Sequence, residues 1–134
     1  MKRLGFTYIH CNDLDKMKTF YSDVLGLNCI WQSEETLAYQ IGDHQLSIRL
    51  QPAMNTPEQE FSIQEGWEGG TSVRPSWSLE CDQDSFSSII KRAIENGIPS
   101  SFPEPKWVGY WSFPILDPMN NTIEITCPDK DLDE

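Results

Sequence analysis

The chain has 134 residues, 38% of them hydrophobic and 23% charged, which suits one domain or two small halves with a shared core and is too apolar for disorder. Its formal net charge of −11 repels nucleic acid and anionic membranes and favours cationic ligands, although acidity for solubility is the plainer interpretation. No apolar run approaches the roughly 20 residues that span a bilayer, and no signal-peptide core follows the N-terminus. We therefore predict a cytoplasmic protein that binds neither nucleic acid nor membranes.

Four cysteines are present, and none has the spacing of a structural zinc site. Their apolar, strand-like surroundings predict reduced, buried thiols: Cys11, Cys29, Cys81 and Cys127.

The first half of the chain predicts the element order β-α-β-β-β. A β-rich run at 5–11 precedes the N-cap candidates Asn12 and Asp13. Apolar residues then recur at helical spacing up to Gly26, a candidate C′ residue. Three short strand candidates follow, and a Gly-Asp turn separates the last two: 28–32, 37–41 and 45–50.

The second half repeats this order after a Pro- and Gly-containing stretch that we interpret as a linker and long loop. A strand candidate at 73–81 leads to the cap Asp82, and Asn96-Gly97 ends the helix that follows. One face of this helix is apolar: Phe86, Ile89, Ile90, Ala93 and Ile94. Strands are then predicted at 98–102, 109–116 and 122–126, with a turn at 117–121.

An internal repeat at half the chain length indicates two copies of one supersecondary unit. Each copy has a helix that covers one sheet face and leaves the other open. Two copies side by side can curl their open faces into a concave cleft, which is the expected ligand site. The predicted organisation is one domain of 1–134, made of module one 1–51, a linker and long loop 52–72, module two 73–127 and an acidic tail 128–134.

Two passages resemble the vicinal-oxygen-chelate superfamily, which includes glyoxalases, bleomycin-binding proteins, fosfomycin-resistance proteins and extradiol dioxygenases. One is Asn12-Asp13-Leu14 leading to FYSDVLGL at 20–27, and the other is LDPMNNTIEI at 116–125, close to the family ending DP-x-G-N-x-I-E-L. Asn120 replaces the usual glycine and is tolerable because asparagine also visits positive φ. The resemblance implies an α+β fold of two tandem βαβββ modules that form a curled mixed sheet around a concave cleft, the glyoxalase/bleomycin-resistance fold.

In catalytic members of that family, the first and last strand of each half supply His, Gln or Glu ligands to one divalent metal. The matching positions here hold Phe6, Ser47, Ser76 and Glu124. One strong ligand in four predicts that the usual metal site is missing, so no cofactor is expected. Strand alternation places His44 on the face opposite Ser47, where it does not restore the site.

Alternation also predicts which side chains line the cleft. The inward set is polar, while the outward set between these residues is mostly apolar. We predict Glu124 as the catalytic candidate and a substrate-binding set of six residues: Tyr8, His10, Arg49, Glu80, Trp107 and Trp111. The alternatives are that the charged members pair with one another to satisfy buried charge, and that the tryptophans belong to the core or to a dimer contact.

The function indicated first is metal-independent binding of an aromatic or cationic small molecule, as in bleomycin-binding relatives. The alternative is a metal-dependent lyase or isomerase of glyoxalase type, in which Glu124 would move a proton. A third hypothesis is a metal-free enzyme that uses His10 with Glu124 or Glu80 as acid and base. The resemblance also implies a homodimer.

Overall fold

The computed structural model describes residues 1–66 and 69–129. Trp67 and Glu68 of the predicted loop, and residues 130–134 of the predicted acidic tail, lie outside the described residues. The chain forms two compact units, Met1–Thr56 and Pro57–Glu134. Within the described ranges no helix has the length and hydropathy needed to cross a membrane.

The first unit contains one four-stranded sheet and one helix. Its elements are β1 (Phe6–Cys11), α1 (Leu14–Lys18), β2 (Asn28–Gln32), β3 (Thr36–Ile41) and β4 (His44–Leu50). The strand order is β1-β4-β3-β2; β1 and β4 pair in parallel, and the other pairs are antiparallel. The predicted order of elements is therefore confirmed, with strand ends within one residue of those expected.

Helix α1 begins at Leu14 as predicted, and the helical segment ends before Gly26 as predicted, but only its first five residues are α-helical. Asp13 is the N-cap, and its side chain accepts a hydrogen bond from the Lys16 amide. The helix continues as a π-helical stretch at Thr19–Val24, and Gly26 follows with φ 69°, the left-handed conformation that glycine adopts at low cost. The apolar side of the helix is buried against the sheet, where it forms the core of this unit with residues of β3 and β4: Met17, Phe20, Tyr21, Val24, Leu37, Tyr39, Leu46 and Ile48.

The second unit repeats the same architecture. Its elements are β5 (Trp77–Glu80), α2 (Gln83–Glu95), β6 (Lys106–Trp107), β7 (Trp111–Leu116) and β8 (Thr122–Cys127), with the strand order β5-β8-β7-β6. As in the first unit, the first strand pairs in parallel with the last. Two similar βαβββ modules with four-stranded mixed sheets confirm the predicted α+β fold.

Two predictions for the second unit are wrong in detail. The strand expected at 98–102 is reduced to one isolated bridge between Ser100 and Ile115, because Pro99 and Pro103 lack the amide that a strand must donate. The two-residue β6 supplies the edge of the sheet instead. Ile94, placed on the apolar face of α2, is 61% exposed, whereas Phe86, Ile89 and Ala93 are buried.

The stretch before β5 is packed into the second unit. Ser62 and Ser72 form a bridge, and the Ser62 amide donates to Oγ1 of Thr122 over 2.8 Å. The Arg74 guanidinium donates to the carbonyls of Glu58 and Glu60. These bonds hold 57–62 against the residues that lead into β5, and that strand covers Trp77–Glu80 instead of the predicted 73–81.

Candidate functional site

The open face of the first sheet is built from three rows of residues that cross its strands. The register pairs Tyr8 with Ser47, Ser47 with Ala38, and Ala38 with Trp31, so these four form one row from edge to edge. The rows on either side consist of Phe6, Gln45, Gln40 and Asn28, and of His10, Arg49 and Thr36. The opposite face carries the apolar residues packed under α1.

The central row has large aromatic residues at its ends and small residues in its middle. Tyr8 is 70% exposed and Trp31 56% exposed, while Ser47 and Ala38 between them are small. Adjacent strands lie about 4.8 Å apart, so the two aromatic residues stand roughly 14 Å apart across a low floor. The ring of Phe6, 53% exposed, stacks on that of Tyr8 with centroids 6.0 Å apart and planes 23° apart, which extends the aromatic wall along β1.

Trp31 was not among the predicted site residues, and the reason is a bulge. The register of β2 against β3 shifts between Cys29 and Trp31, so Ile30 is the extra residue. Simple alternation from Asn28 would place Ile30, not Trp31, on the open face. No residue pattern in this stretch signals a bulge, so the sequence contained no sign that would have placed Trp31 on the open face.

Three predicted site residues lie on this open face: Tyr8, His10 and Arg49. Arg49 Nη2 donates to Oε2 of Glu35 over 2.9 Å, and both side chains are more than half exposed. Exposed ion pairs contribute little to stability, so Arg49 is free to exchange this partner for a ligand group. His44 lies on the other face: Nδ1 donates to the Leu4 carbonyl at 3.0 Å, and Nε2 accepts from the Thr7 hydroxyl at 2.6 Å.

A cavity of about 290 Å³ lies at the start of β1, beside the aromatic wall. Phe6, Gln40 and Gln45 line it together with Arg3 and Asp43. The guanidinium of Arg3 is 3.7 Å from the Asp43 carboxylate. The open face is therefore continuous with a polar cavity that offers amide groups and both signs of charge.

Glu124, the predicted catalytic residue, lies on β8 in the second unit and is only 5% exposed. The hydroxyls of Ser112 and Tyr110 both donate to its Oε2, over 2.6 and 3.0 Å. Loss of solvation, and then the hydrogen bond to Glu124, raise the pKa of the Tyr110 phenol. Glu124 is thus a carboxylate held by two neutral hydroxyl donors, an arrangement that satisfies its buried charge without a basic partner.

The structure separates the predicted tryptophans from Glu124. Ser112 shares the face of Glu124, so Trp111 next to it points to the opposite face by strand alternation. Trp107 pairs with Trp111 across the β6–β7 hairpin, and their rings make an edge contact with centroids 5.6 Å apart. Among the described residues no acceptor reaches the buried Nε1 of Trp111.

Glu80 is exposed on the last residue of β5. One alternative was that the predicted charged residues form ion pairs with one another. Among the described residues, the hydrogen bonds and ion pairs of Arg49 and Glu124 go to other partners. Arg49 pairs with Glu35, and Glu124 pairs with two hydroxyls.

The residues at the family's metal positions do not fit a divalent metal. Phe6 has no donor atom, and the Ser47 and Ser76 hydroxyls accept hydrogen bonds from Gln45 and Gln64. Glu124 is the one strong ligand, and its Oε2 is committed to two hydroxyls. Across residues 1–66 and 69–129 no group of three or more His, Cys, Asp or Glu side chains is placed to hold a metal ion.

Comparison with known proteins identifies the family. The model of the glyoxalase/bleomycin resistance protein/dioxygenase superfamily matches residues 3–125, so the chain belongs to this superfamily. Comparison with curated protein sequences gives no significant match.

Solved structures share the fold at low sequence identity. A glyoxalase/dioxygenase from Nostoc punctiforme is 16% identical with a TM-score of 0.77, covering 96% of this chain and 92% of its own. A fosfomycin resistance protein from Listeria monocytogenes is 14% identical (TM-score 0.70, coverage 98% and 97%). A lactoylglutathione lyase from Agrobacterium tumefaciens is 20% identical (TM-score 0.64, coverage 95% and 94%). Members with different named activities share this fold, so function must be argued from the side chains.

Proposed function

We propose that the protein binds and sequesters a planar aromatic, cationic small molecule without a metal ion, on the open face of the first sheet. The observation that carries this proposal is the row in which small Ser47 and Ala38 lie between exposed Tyr8 and Trp31. A flat ring system laid across this row would contact an aromatic side chain at each end, above Ser47 and the 2% exposed Ala38. Aromatic contacts of this kind contribute about 0.5–1.5 kcal/mol each beyond the area they bury.

The net charge of the chain, −11, favours a cation over an anion. The charged side chains beside this face form pairs of opposite sign, Arg3 with Asp43 and Arg49 with Glu35, so they do not oppose this preference. Electron-rich aromatic faces attract cations by about 0.5–2 kcal/mol, most strongly where water is displaced. The amides of Gln40 and Gln45 supply hydrogen-bonding partners for polar substituents without a charge of their own.

The side chains of this face suit binding better than chemistry. Most are aromatic rings, amides and hydroxyls, which cover and orient a ligand. Of the ionisable members, Arg49 pairs with Glu35, and His10 has no acidic or nucleophilic partner among the described residues of this face. Glu124 lies in the second unit, and its buried carboxylate is bound by two hydroxyls. Sequestration therefore agrees with the side chains better than the glyoxalase-type lyase or isomerase that was the alternative.

The direct test is a binding screen by thermal shift and titration calorimetry. The probes are acridinium and phenanthridinium cations, together with neutral and anionic aromatics of the same size. We expect the cationic probes to stabilise the protein most, and Tyr8→Ala and Trp31→Ala each to weaken their binding at least about tenfold, a loss of about 1.4 kcal/mol. Ser47→Val should weaken binding as well, because it raises the floor between the walls.

Matched controls come from the second unit. Ser78→Val replaces an exposed serine on β5, and Val73→Ala removes an apolar side chain that is 92% exposed. Both variants should bind the probes as the natural chain does. The proposal is wrong if no probe binds, or if the control variants lose as much affinity as the variants of the open face.

Metal content separates this proposal from the enzyme alternative. We expect substoichiometric Ni, Zn, Fe and Mn in freshly purified, untagged protein, and probe binding that is unchanged after treatment with a chelator. Close to one equivalent of Ni, Zn, Fe or Mn per chain would instead favour the metal-dependent lyase or isomerase.

The homodimer and the cytoplasmic location remain predictions. Analytical sedimentation of the purified protein tests the homodimer.

A further inference from the structure

Two cysteines of the second unit lie side by side where β5 and β8 end. These strands pair in parallel, with Glu80 opposite Thr126. The Cys81 amide donates to the Thr126 carbonyl over 2.8 Å, which extends the ladder by one residue. Cys81 is therefore the cross-strand neighbour of Cys127, with Cα atoms about 4.8 Å apart.

Both thiols point to the same face of the sheet. Glu80 and Thr126 precede the two cysteines and form one pair of the register, so alternation turns Cys81 and Cys127 together to the other face. Both are free thiols, Cys127 fully buried and Cys81 partly exposed. In-register side chains on parallel strands run beside one another, a geometry that suits an ion between two sulfurs.

An open cavity of about 470 Å³ reaches this pair. Its walls include both cysteines and three carboxylate side chains, Asp82, Asp84 and Asp129. None of the described residues that line it is basic. The local field therefore favours a cation at the thiols.

We propose that Cys81 and Cys127 bind a soft d¹⁰ cation of the Cu⁺ class in a two-coordinate site. Thiolates select such ions over hard cations because the sulfur is polarisable. On binding, each S–H gives up its proton to water and each sulfur forms one bond to the ion, so two thiols and Cu⁺ become a bis-thiolate complex and two protons. Zinc prefers four protein ligands in a closed site, and the described residues place no third His, Cys, Asp or Glu ligand with this pair.

The test uses the full chain, reduced and kept anaerobic, with Cu⁺ supplied as its coloured bathocuproine disulfonate complex. Loss of the colour reports transfer of Cu⁺ to the protein. We expect the natural chain to take one equivalent, and Cys81→Ser and Cys127→Ala each to take at least about tenfold less. Cys29→Ser is the matched control, since Cys29 is a partly exposed thiol of the first unit, and it should take one equivalent.

Circular dichroism shows whether each variant is folded. If Cys127→Ala does not fold, the partly exposed Cys81→Ser decides the result. The proposal is overturned if the natural chain takes no Cu⁺, if Cys81→Ser still takes one equivalent, or if Zn²⁺ is retained equally well. Tyr8→Ala should keep the Cu⁺ site, so this inference and the proposed aromatic-binding function fail or hold separately.

Discussion

The Ser112 hydroxyl donates a hydrogen bond of 2.6 Å to Oε2 of Glu124 across the β7–β8 pair. Both residues are buried, and the Tyr110 hydroxyl donates to the same oxygen. The position that would supply a metal ligand in catalytic relatives is therefore part of a closed hydrogen-bond cluster. The hydrogen bonds of this cluster are the basis of the first two predictions below.

Replacement of Ser112 by alanine should destabilise the protein by about 1.5–3 kcal/mol, the range for a hydrogen bond to a charged group. The loss arises because Glu124 stays buried with one donor fewer. Chemical denaturation of the variant and the natural chain measures the difference. Ser78→Ala, an exposed serine on β5 opposite Glu124 in the register, should change the free energy of unfolding by less than about 0.5 kcal/mol.

Stability should fall at alkaline pH, partly through Tyr110. Its folded-state pKa is raised above the ordinary value of about 10, first by burial and then by the hydrogen bond to Glu124. A raised pKa means that the folded state holds the proton more tightly. The contribution of Tyr110 is therefore complete below about pH 10 and is lost as the pH rises through the folded-state value.

Denaturation at several values between about pH 8 and pH 11 tests this dependence. The Tyr110→Phe variant should lose less stability over this pH range than the natural chain. It should still lose some stability, because burial also raises the pKa of Tyr39. Tyr8→Phe is the control, because that side chain is largely exposed. An identical slope in Tyr110→Phe and the natural chain would contradict the prediction.

Alanine at Gly70 should destabilise the second unit by about 1–3 kcal/mol, as overpacking does. A Cβ atom there would collide with the Ser62 carbonyl oxygen and lie 2.6 Å from Cα of Ile63. These are backbone atoms of residues 62 and 63, so they cannot move aside as a flexible side chain can. Gly5→Ala meets nothing within 4 Å and should unfold at the same denaturant concentration as the natural chain.

Valine at Asn120 should cost more stability than glycine at the same position. Asn120 has φ 60°, and its Nδ2 donates to the Pro57 carbonyl over 2.7 Å. Glycine keeps the backbone conformation and loses only that bond, whereas a β-branched residue also strains the backbone by about 1–2 kcal/mol. Thermal melts of the two variants give the difference, and equal melting temperatures would show that positive φ does not matter here.

Local signals made much of the fold predictable. The caps Asp13 and Asp82, and the glycines after each helix, depend on interactions within one turn and were read correctly. Asn120 was expected at positive φ, and the structure confirms it. Alternation also predicted which side of each sheet is apolar, because a sheet with one covered face imposes that pattern over its whole length.

Features that depend on distant parts of the chain were not predictable. β6 forms because residues 111–112 offer a partner to Lys106 and Trp107, and its own two residues give no strand signal. The Ser112–Glu124 hydrogen bond depends on how β7 and β8 align, and the local sequence does not predict that register. Trp107 and Trp111 were predicted to bind substrate in the cleft with Glu124, yet Trp111 neighbours Ser112 on β7 and therefore faces away from Glu124.

The bulge at Ile30 makes the open face of the first sheet depend on where β2 carries its extra residue. A bulge placed after Trp31 instead of before it would set Ile30 opposite Ala38 and turn Trp31 away from the open face, with no aromatic residue mutated. Loss of Ile30 itself would leave Trp31 two positions after Asn28 and still opposite Ala38. Ligand preference on such an edge strand can therefore diverge between relatives through the position of a bulge, where a comparison of matched positions would find no difference.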